Sequence, residues 1–351
     1  MAKSKLRFGI IGAGTPNQHI GGKDPYHGVG EYHASAIVEF AELAAIASRS
    51  ESSARALANK FGVKDIYTDY RRLLDRKDID AVTVGTPSGT HGDIAIEAAQ
   101  AGKHILVEKP IEVTMEKAER VIRECEKQKV KLSVAFHHRF GIVKDIKEAV
   151  DRGEIGKLII GNAFCKRYRT KEYFQSSDWR GTWALDGGGA FINQGIHVID
   201  SFQWIMGDVA SLFGYYGTLG HPYIEAEDVG VVSLKFKSGA FGIIESTTCC
   251  YPDLSDRIEL HGEKGSLIAE GYPMQIKLRE SIDSKERMRG GSLKEQQPMY
   301  KGMHHPIVKD LIEAIEEDRE PKVNGWEGLK SLRIITAIYE SSRNKREIHF
   351  E

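Results

Sequence analysis

Two short blocks carry side chains suited to moving a proton and holding developing negative charge. In Val107-Glu108-Lys109-Pro110 a lysine is pinned between an apolar strand-like run and a proline. In Asp186-Gly187-Gly188-Gly189, followed by Phe191-Ile192-Asn193-Gln194-Gly195-Ile196-His197, a histidine trails three glycines. Imidazole, with an ordinary pKa of about 6.5, can take a proton near neutral pH. A lysine ammonium can stabilise an alkoxide or a polarised carbonyl oxygen. Asn193 and His197 are four residues apart, which puts them on one helix face, continued by Asp200 and Trp204, while Ile192, Ile196 and Ile199 mark a buried face. A histidine in such a helix is more often a packed core residue. The glycines, which let backbone approach a flat ligand, and the lysine block tip the balance towards catalysis. Trp179 and Arg180 just upstream offer a ring face and a donor fork to a substrate, as does Arg169. Tyr168, His137, His138 and His304 are lesser candidates.

A second set of residues suits a dinucleotide. Gly9-Ile10-Ile11-Gly12-Ala13-Gly14 closes a strand-like run with a tight glycine turn, where backbone N–H groups can meet a pyrophosphate at a helix N-terminus. The third glycine of such a fingerprint is displaced. Residues 15–27 intervene before Gly28-Val29-Gly30, so Gly30 takes that role, with His33 following on the same helix. The next strand ends Ala47-Ser48-Arg49-Ser50 without a carboxylate to accept ribose hydroxyls. Ser48, Arg49 and Ser50 can instead receive a 2'-phosphate, which favours NADP, with NAD possible. Thr86, Pro87 and His91 follow a further strand at the carboxyl edge of the same sheet, as do Glu108 and Lys109. His19, Asp24 and His27, with His33, tempt a metal reading. Hydride transfer needs no metal, and none is expected.

The elements that must position these residues are readable from periodicity. Strand patterns at residues 7–11, 43–47, 81–84, 104–107 and 132–135 alternate with helical patterns at 33–40, 52–60, 70–74, 92–101 and 115–129. That alternation predicts a parallel, doubly wound α/β domain over residues 1–138. Residues 139–351 change character. Longer alternating runs at 231–236 and 241–247 predict a hairpin in an open, mostly antiparallel sheet, with helices at 142–151, 190–206, 306–316 and 326–343. This half is expected to be an α+β domain for substrate binding and oligomerisation. Residues 284–298 are polar and weakly patterned, as a mobile loop would be.

Composition narrows the class. The chain has 351 residues, 49 basic and 50 acidic, for a formal charge of −1, so no global field recruits nucleic acid or an anionic membrane. Four cysteines lack metal-ligand spacing, and no run approaches a membrane span or a secretory leader, so a reducing cytoplasm is the expected location.

These motifs together resemble the glucose-fructose oxidoreductase, inositol dehydrogenase and rhizopine catabolism family. The resemblance rests on Gly12-Ala13-Gly14, Thr86-Pro87-Ser88-Gly89-Thr90-His91, Glu108-Lys109-Pro110, Trp179-Arg180-Gly181, the glycine block with Asn193 and His197, and Ala337-Ile338-Tyr339-Glu340. It implies a Rossmann domain followed by an open-sheet domain, a homodimer or homotetramer, and hydride transfer between NAD(P) and a ring carbon of a sugar, sugar derivative or inositol. The catalytic lysine of the family matches Lys109, and its catalytic histidine matches His197. Many relatives carry Asp where this chain has Asn193. Redox-neutral cleavage of glycosidic bonds with retained NAD, or a non-catalytic cofactor-binding regulator, stay open at this point.

Overall fold

The computed structural model describes residues 5–14, 28–272, 274–282, 288–289 and 302–351. The insertion at 15–27, with His19, Asp24 and His27, lies outside the described residues, as does segment 284–298 apart from positions 288–289. By contacts the chain forms two units, Met1–His137 with Tyr300–Leu329, and His138–Met299 with Lys330–Glu351.

The first unit is a six-stranded parallel sheet of β1 (Arg7–Ile11), β2 (Glu42–Ala47), β3 (Asp65–Tyr67), β4 (Ala81–Val84), β5 (His104–Val107) and β6 (Leu132–Val134). Its crossover helices are α1 (Val29–Phe40), α2 (Glu51–Phe61), α3 (Tyr70–Leu74), α4 (His91–Gln100) and α5 (Met115–Gln128). Strand order is β3-β2-β1-β4-β5-β6. The strands are apolar on both faces because helices cover both: Phe8, Ile10, Ile46, Val82 and Ile105 are fully buried. Helix starts follow local chemistry. Ser50 and Thr114 accept the N–H groups of Ser53 and Lys117 and cap α2 and α5.

The second unit contains α6 (Ile142–Asp151), β7 (Leu158–Lys166), α7 (Lys171–Gln175), a π turn (Ala190–Gly195) that runs into α8 (Ile196–Met206), and strands β8 (Val209–Gly217), β9 (Val229–Phe236), β10 (Phe241–Thr247), β11 (Arg257–Gly262), β12 (Gly265–Gly271), β13 (Met274–Ser281) and β14 (Met288–Arg289). With β15 (Ile348–His349) these strands form a nine-stranded sheet in the order β14-β13-β12-β11-β7-β10-β9-β8-β15. Only the β7–β10 pairing is parallel. Burial alternates along β9 and β10, so one face holds the core, where Phe202 of α8 meets Phe236 edge-on at 5.7 Å. The helical run at 190–206 is present, but its first turn is π rather than α.

Helix α9 (His305–Glu316) and the start of α10 (Gly325–Asn344) return the chain to the first unit. α9 packs on α1, and Val134 donates its N–H to Val323 O at 2.9 Å. The division expected at 138/139 therefore leaves out a segment: residues 300–329 complete the first unit, because the faces of α1 and β6 need them.

Candidate active site

The sheet order of the first unit reverses direction between β1 and β4, which opens a crevice at the carboxyl ends of those strands. Gly12 leaves β1 with φ +105°, a region open to glycine, and its N–H bonds Ala47 O at 2.9 Å. A Cβ on Gly30 would sit 2.6 Å from Gly12 O. Helix and turn therefore touch backbone to backbone, which is the role expected of the third glycine despite the intervening insertion. Gly14 also has positive φ. α1 starts at Val29 with no side-chain cap among the described residues, and its first turn points the positive end of the helix at the crevice. Thr86 and Pro87 follow β4 at the same edge, where the Thr90 hydroxyl bridges Thr86 Oγ1 at 2.8 Å and Pro87 O at 2.7 Å. These residues fit a dinucleotide. Past β2, Ser48 is half-buried and Arg49 exposed, while Ser50 is held as the α2 cap.

Three residues expected at the cofactor make hydrogen bonds inside the protein. His91 is buried, and its two ring nitrogens lie 2.8 Å from Pro110 O and Thr86 O, so it clasps two strand ends. His33 is fully buried with Nε2 3.0 Å from Glu108 Oε1, and His304 Nε2 approaches the same oxygen at 3.2 Å. Burial alone would push the Glu108 carboxyl up. The bonds from His304 and His33 outweigh it and hold Glu108 well below the usual carboxylate range. Burial depresses His33, which therefore donates as a neutral ring. His137 packs on His304 with ring centres 4.9 Å apart. Lys109 follows β5 half-buried, its peptide to Pro110 cis and its N–H 3.3 Å from Glu108 Oε2. The Glu108 clasp thus fixes the backbone that presents Lys109.

In the second unit the glycine block rests on a buried acid that the sequence reading missed. Glu227 accepts the N–H groups of Gly189 at 2.8 Å and Phe191 at 2.9 Å, and the Tyr339 hydroxyl at 2.9 Å. Burial pushes its carboxyl up to about 7 despite these donors. Gly188 has φ +152°, and a Cβ there would overlap the Tyr339 hydroxyl. The only signal was a Glu227-Asp228 pair abutting an apolar strand.

His197 opens α8 nearly buried, its ring stacked on His138 at 4.7 Å. The next residue fixes that stack. Arg139 Nε and Nη2 bond Asp200 Oδ2 and Oδ1 at 2.8 and 2.7 Å, one turn along α8, with Trp204 under the guanidinium. Asp200 is therefore buried and bound to Arg139 instead of continuing the polar face.

Asn193 Nδ2 donates to Asp186 Oδ1 at 2.6 Å, and its Oδ1 accepts Gln194 Nε2 at 2.7 Å. Tyr173, absent from the expected set, gathers this group. Its hydroxyl accepts Gln194 Nε2 at 2.9 Å and Arg180 Nη1 at 2.6 Å. Trp179 lies against Arg180, while Arg169 bonds Gln194 Oε1 at 2.7 Å and pairs with Asp253 at 3.5 Å. Tyr168 is exposed.

Among the described residues, no helix is long and apolar enough to cross a membrane. Residues 6–136 match the family model described as "Oxidoreductase family, NAD-binding Rossmann fold", and residues 143–268 match "GFO/IDH/MocA C-terminal domain". The chain is 29% identical to myo-inositol 2-dehydrogenase of Thermotoga maritima, over 99% of both chains. It is 30% identical to scyllo-inositol 2-dehydrogenase (NAD(+)) of Bacillus subtilis, over 68% of this chain and 70% of that one. Among solved structures, the WlbA dehydrogenase from Bordetella pertussis in complex with NADH and UDP-GlcNAcA is 31% identical, covers 99% of both chains and superposes with a TM-score of 0.83.

Proposed function

The chain belongs to the GFO/IDH/MocA oxidoreductase family, and from that premise we propose that it transfers a hydride between a nicotinamide dinucleotide and a ring hydroxyl or ketone of a sugar, sugar derivative or inositol. The observation that carries this reading is one sheet edge. The Gly12–Gly30 contact, Thr86-Pro87 and Lys109 all stand at the carboxyl ends of β1, β4 and β5, on either side of the reversal in strand order. The dinucleotide, when bound, supplies the hydride acceptor or donor.

In the oxidation direction the substrate hydroxyl loses its proton to His197, and Lys109 stabilises the negative charge left on that oxygen. Asn193 orients the polar turn that precedes His197. The decisive experiment is a screen of sugars, sugar acids, sugar phosphates and inositols for cofactor reduction at alkaline pH. Absence of any turnover across all these classes with both nucleotides would overturn the reading.

NADP is the preferred form in this proposal. Arg49 is exposed and has no carboxylate within ion-pair distance among the described residues, and Ser48 lies beside it. Arg49→Ala should then weaken NADPH binding while leaving NADH binding within about threefold. A wild type that prefers NADH would reverse the assignment. The protein is further proposed to work in the reducing cytoplasm, in keeping with four free cysteines.

A further inference from the structure

Arg180 breaks a rule that the other sheltered arginines keep. Among the described residues, every other arginine that is buried or half-buried has a carboxylate oxygen within ion-pair distance, from Arg7 with Glu42 at 2.7 Å to Arg169 with Asp253 at 3.5 Å. Arg180 is half-buried and has none. Its guanidinium is held between the Tyr173 ring at 4.4 Å and the Trp179 ring at 4.8 Å. Nη1 donates to the Tyr173 hydroxyl, and Nε is sealed from solvent with no acceptor. The Nη1/Nη2 edge is what such a fork can still present.

A cation withdrawn from water without a counter-charge is costly, and side chains that accept this cost are held by something else or await an anion. Here the rings fix the plane of the fork, as bidentate recognition of two oxyanion oxygens requires. The fork is also wired to the polar turn that leads into His197. Tyr173 OH joins Arg180 to Gln194, and Gln194 joins it to Asn193. Arg169 also lies against Tyr173, at 5.3 Å, and it is Arg169, not Arg180, that pairs with Asp253. Asp186 does not neutralise Arg180: its oxygens accept Gly181 N–H and Asn193 Nδ2.

We propose that the sugar or polyol substrate carries an oxyanion group, a carboxylate or a phosphate ester, and that Arg180 takes it on its Nη1/Nη2 edge. This rests on the dehydrogenase reading for the identity of the reaction, and on Arg180 alone for the charge.

The test compares D-glucuronate, D-glucose 6-phosphate and D-glucose, by calorimetric binding to the full chain loaded with NADH and by turnover with NAD and NADP. At least one anion should bind about tenfold or more tighter than glucose. Arg180→Gln should cut that advantage by about 10- to 100-fold, and Arg180→Lys should restore part of it. Which anion responds separates carboxylate from phosphate ester. Unchanged NADH affinity in Arg180→Gln certifies that the variant is folded, and the lysine variant serves if it is not. Equal or absent binding of all three compounds, or an anion preference that survives Arg180→Gln, overturns the proposal. Arg180-dependent anion binding without oxidation of any sugar or inositol would keep it and sink the dehydrogenase reading instead.

Discussion

Asn193 gives its amide to the buried carboxylate of Asp186 at 2.6 Å. Asn193 is thus the neutral partner of an acid. Asn193→Asp would set two carboxylates against each other, and both cannot ionise at that distance. The variant should lose about 1–3 kcal/mol of stability at pH 8 and much less at pH 5, where one of the pair keeps its proton. Denaturant melts at the two pH values check this. Exchanging the roles in Asn193→Asp with Asp186→Asn should recover most of the loss, and failure to recover would mean that the contact is not what holds the turn.

Lys109→Ala should reduce turnover by roughly 100-fold or more, as removal of a group that stabilises an oxyanion does, while NADH affinity stays close to wild type. A variant with near-normal kcat removes Lys109 from the chemistry.

Glu227 should leave a signature in stability against pH. Its carboxyl is raised to about 7 in the folded chain from an ordinary 4.5, chiefly by burial, so the folded state holds a proton that the unfolded state releases earlier. Its contribution is full below about pH 4.5 and is lost as pH rises through 7, by about 3 kcal/mol in all. Glu227→Gln cannot titrate and should flatten that slope between pH 5 and 8. An equal slope in both proteins would show that another group governs it.

The Arg139–Asp200 pair is buried on both sides. Asp200→Ala would take a bidentate charge partner from the buried guanidinium and cost about 3–5 kcal/mol. Because Arg139 adjoins His138, which stacks on His197, the same variant should also shift the pH profile of kcat/KM. Stability loss without any shift would confine the pair to a scaffolding role.

The outer face of the nine-stranded sheet exposes Tyr215, Val231, Phe241 and Ile243 on β8, β9 and β10. A second copy of the chain is the proposed cover, since a bare apolar face of that kind invites aggregation. Light scattering should give a multiple of the 39.1 kDa chain mass, and Ile243→Lys should lower it. A wild-type monomer at micromolar concentration contradicts the proposal.

Much of this was legible in local patterns. The strands at 81–84 and 104–107 and the helix at 70–74 fall where apolar period and turn residues put them. β3 was not legible: three partly exposed residues carry too little alternation to register. The π turn was hidden because four-residue spacing looks alike on α and π backbones. The glycine fingerprint could be read across its insertion because Gly28-Val29-Gly30 keeps its own helix-start chemistry. What spacing could not reveal were bonds between distant positions. His33 and His304 lie 75 and 196 residues from Glu108, so nothing local announced that all three would be spent on one another.

That clasp sets a schedule for biogenesis. The ribosome releases the whole six-stranded sheet before residue 140, yet the second histidine on Glu108 and the helix that covers α1 arrive only after residue 300. At roughly 5–20 residues per second, the nascent first unit waits on the order of ten seconds with a buried acid half-satisfied and an apolar helix face bare. The chain therefore has no early point at which its nucleotide half can be finished alone.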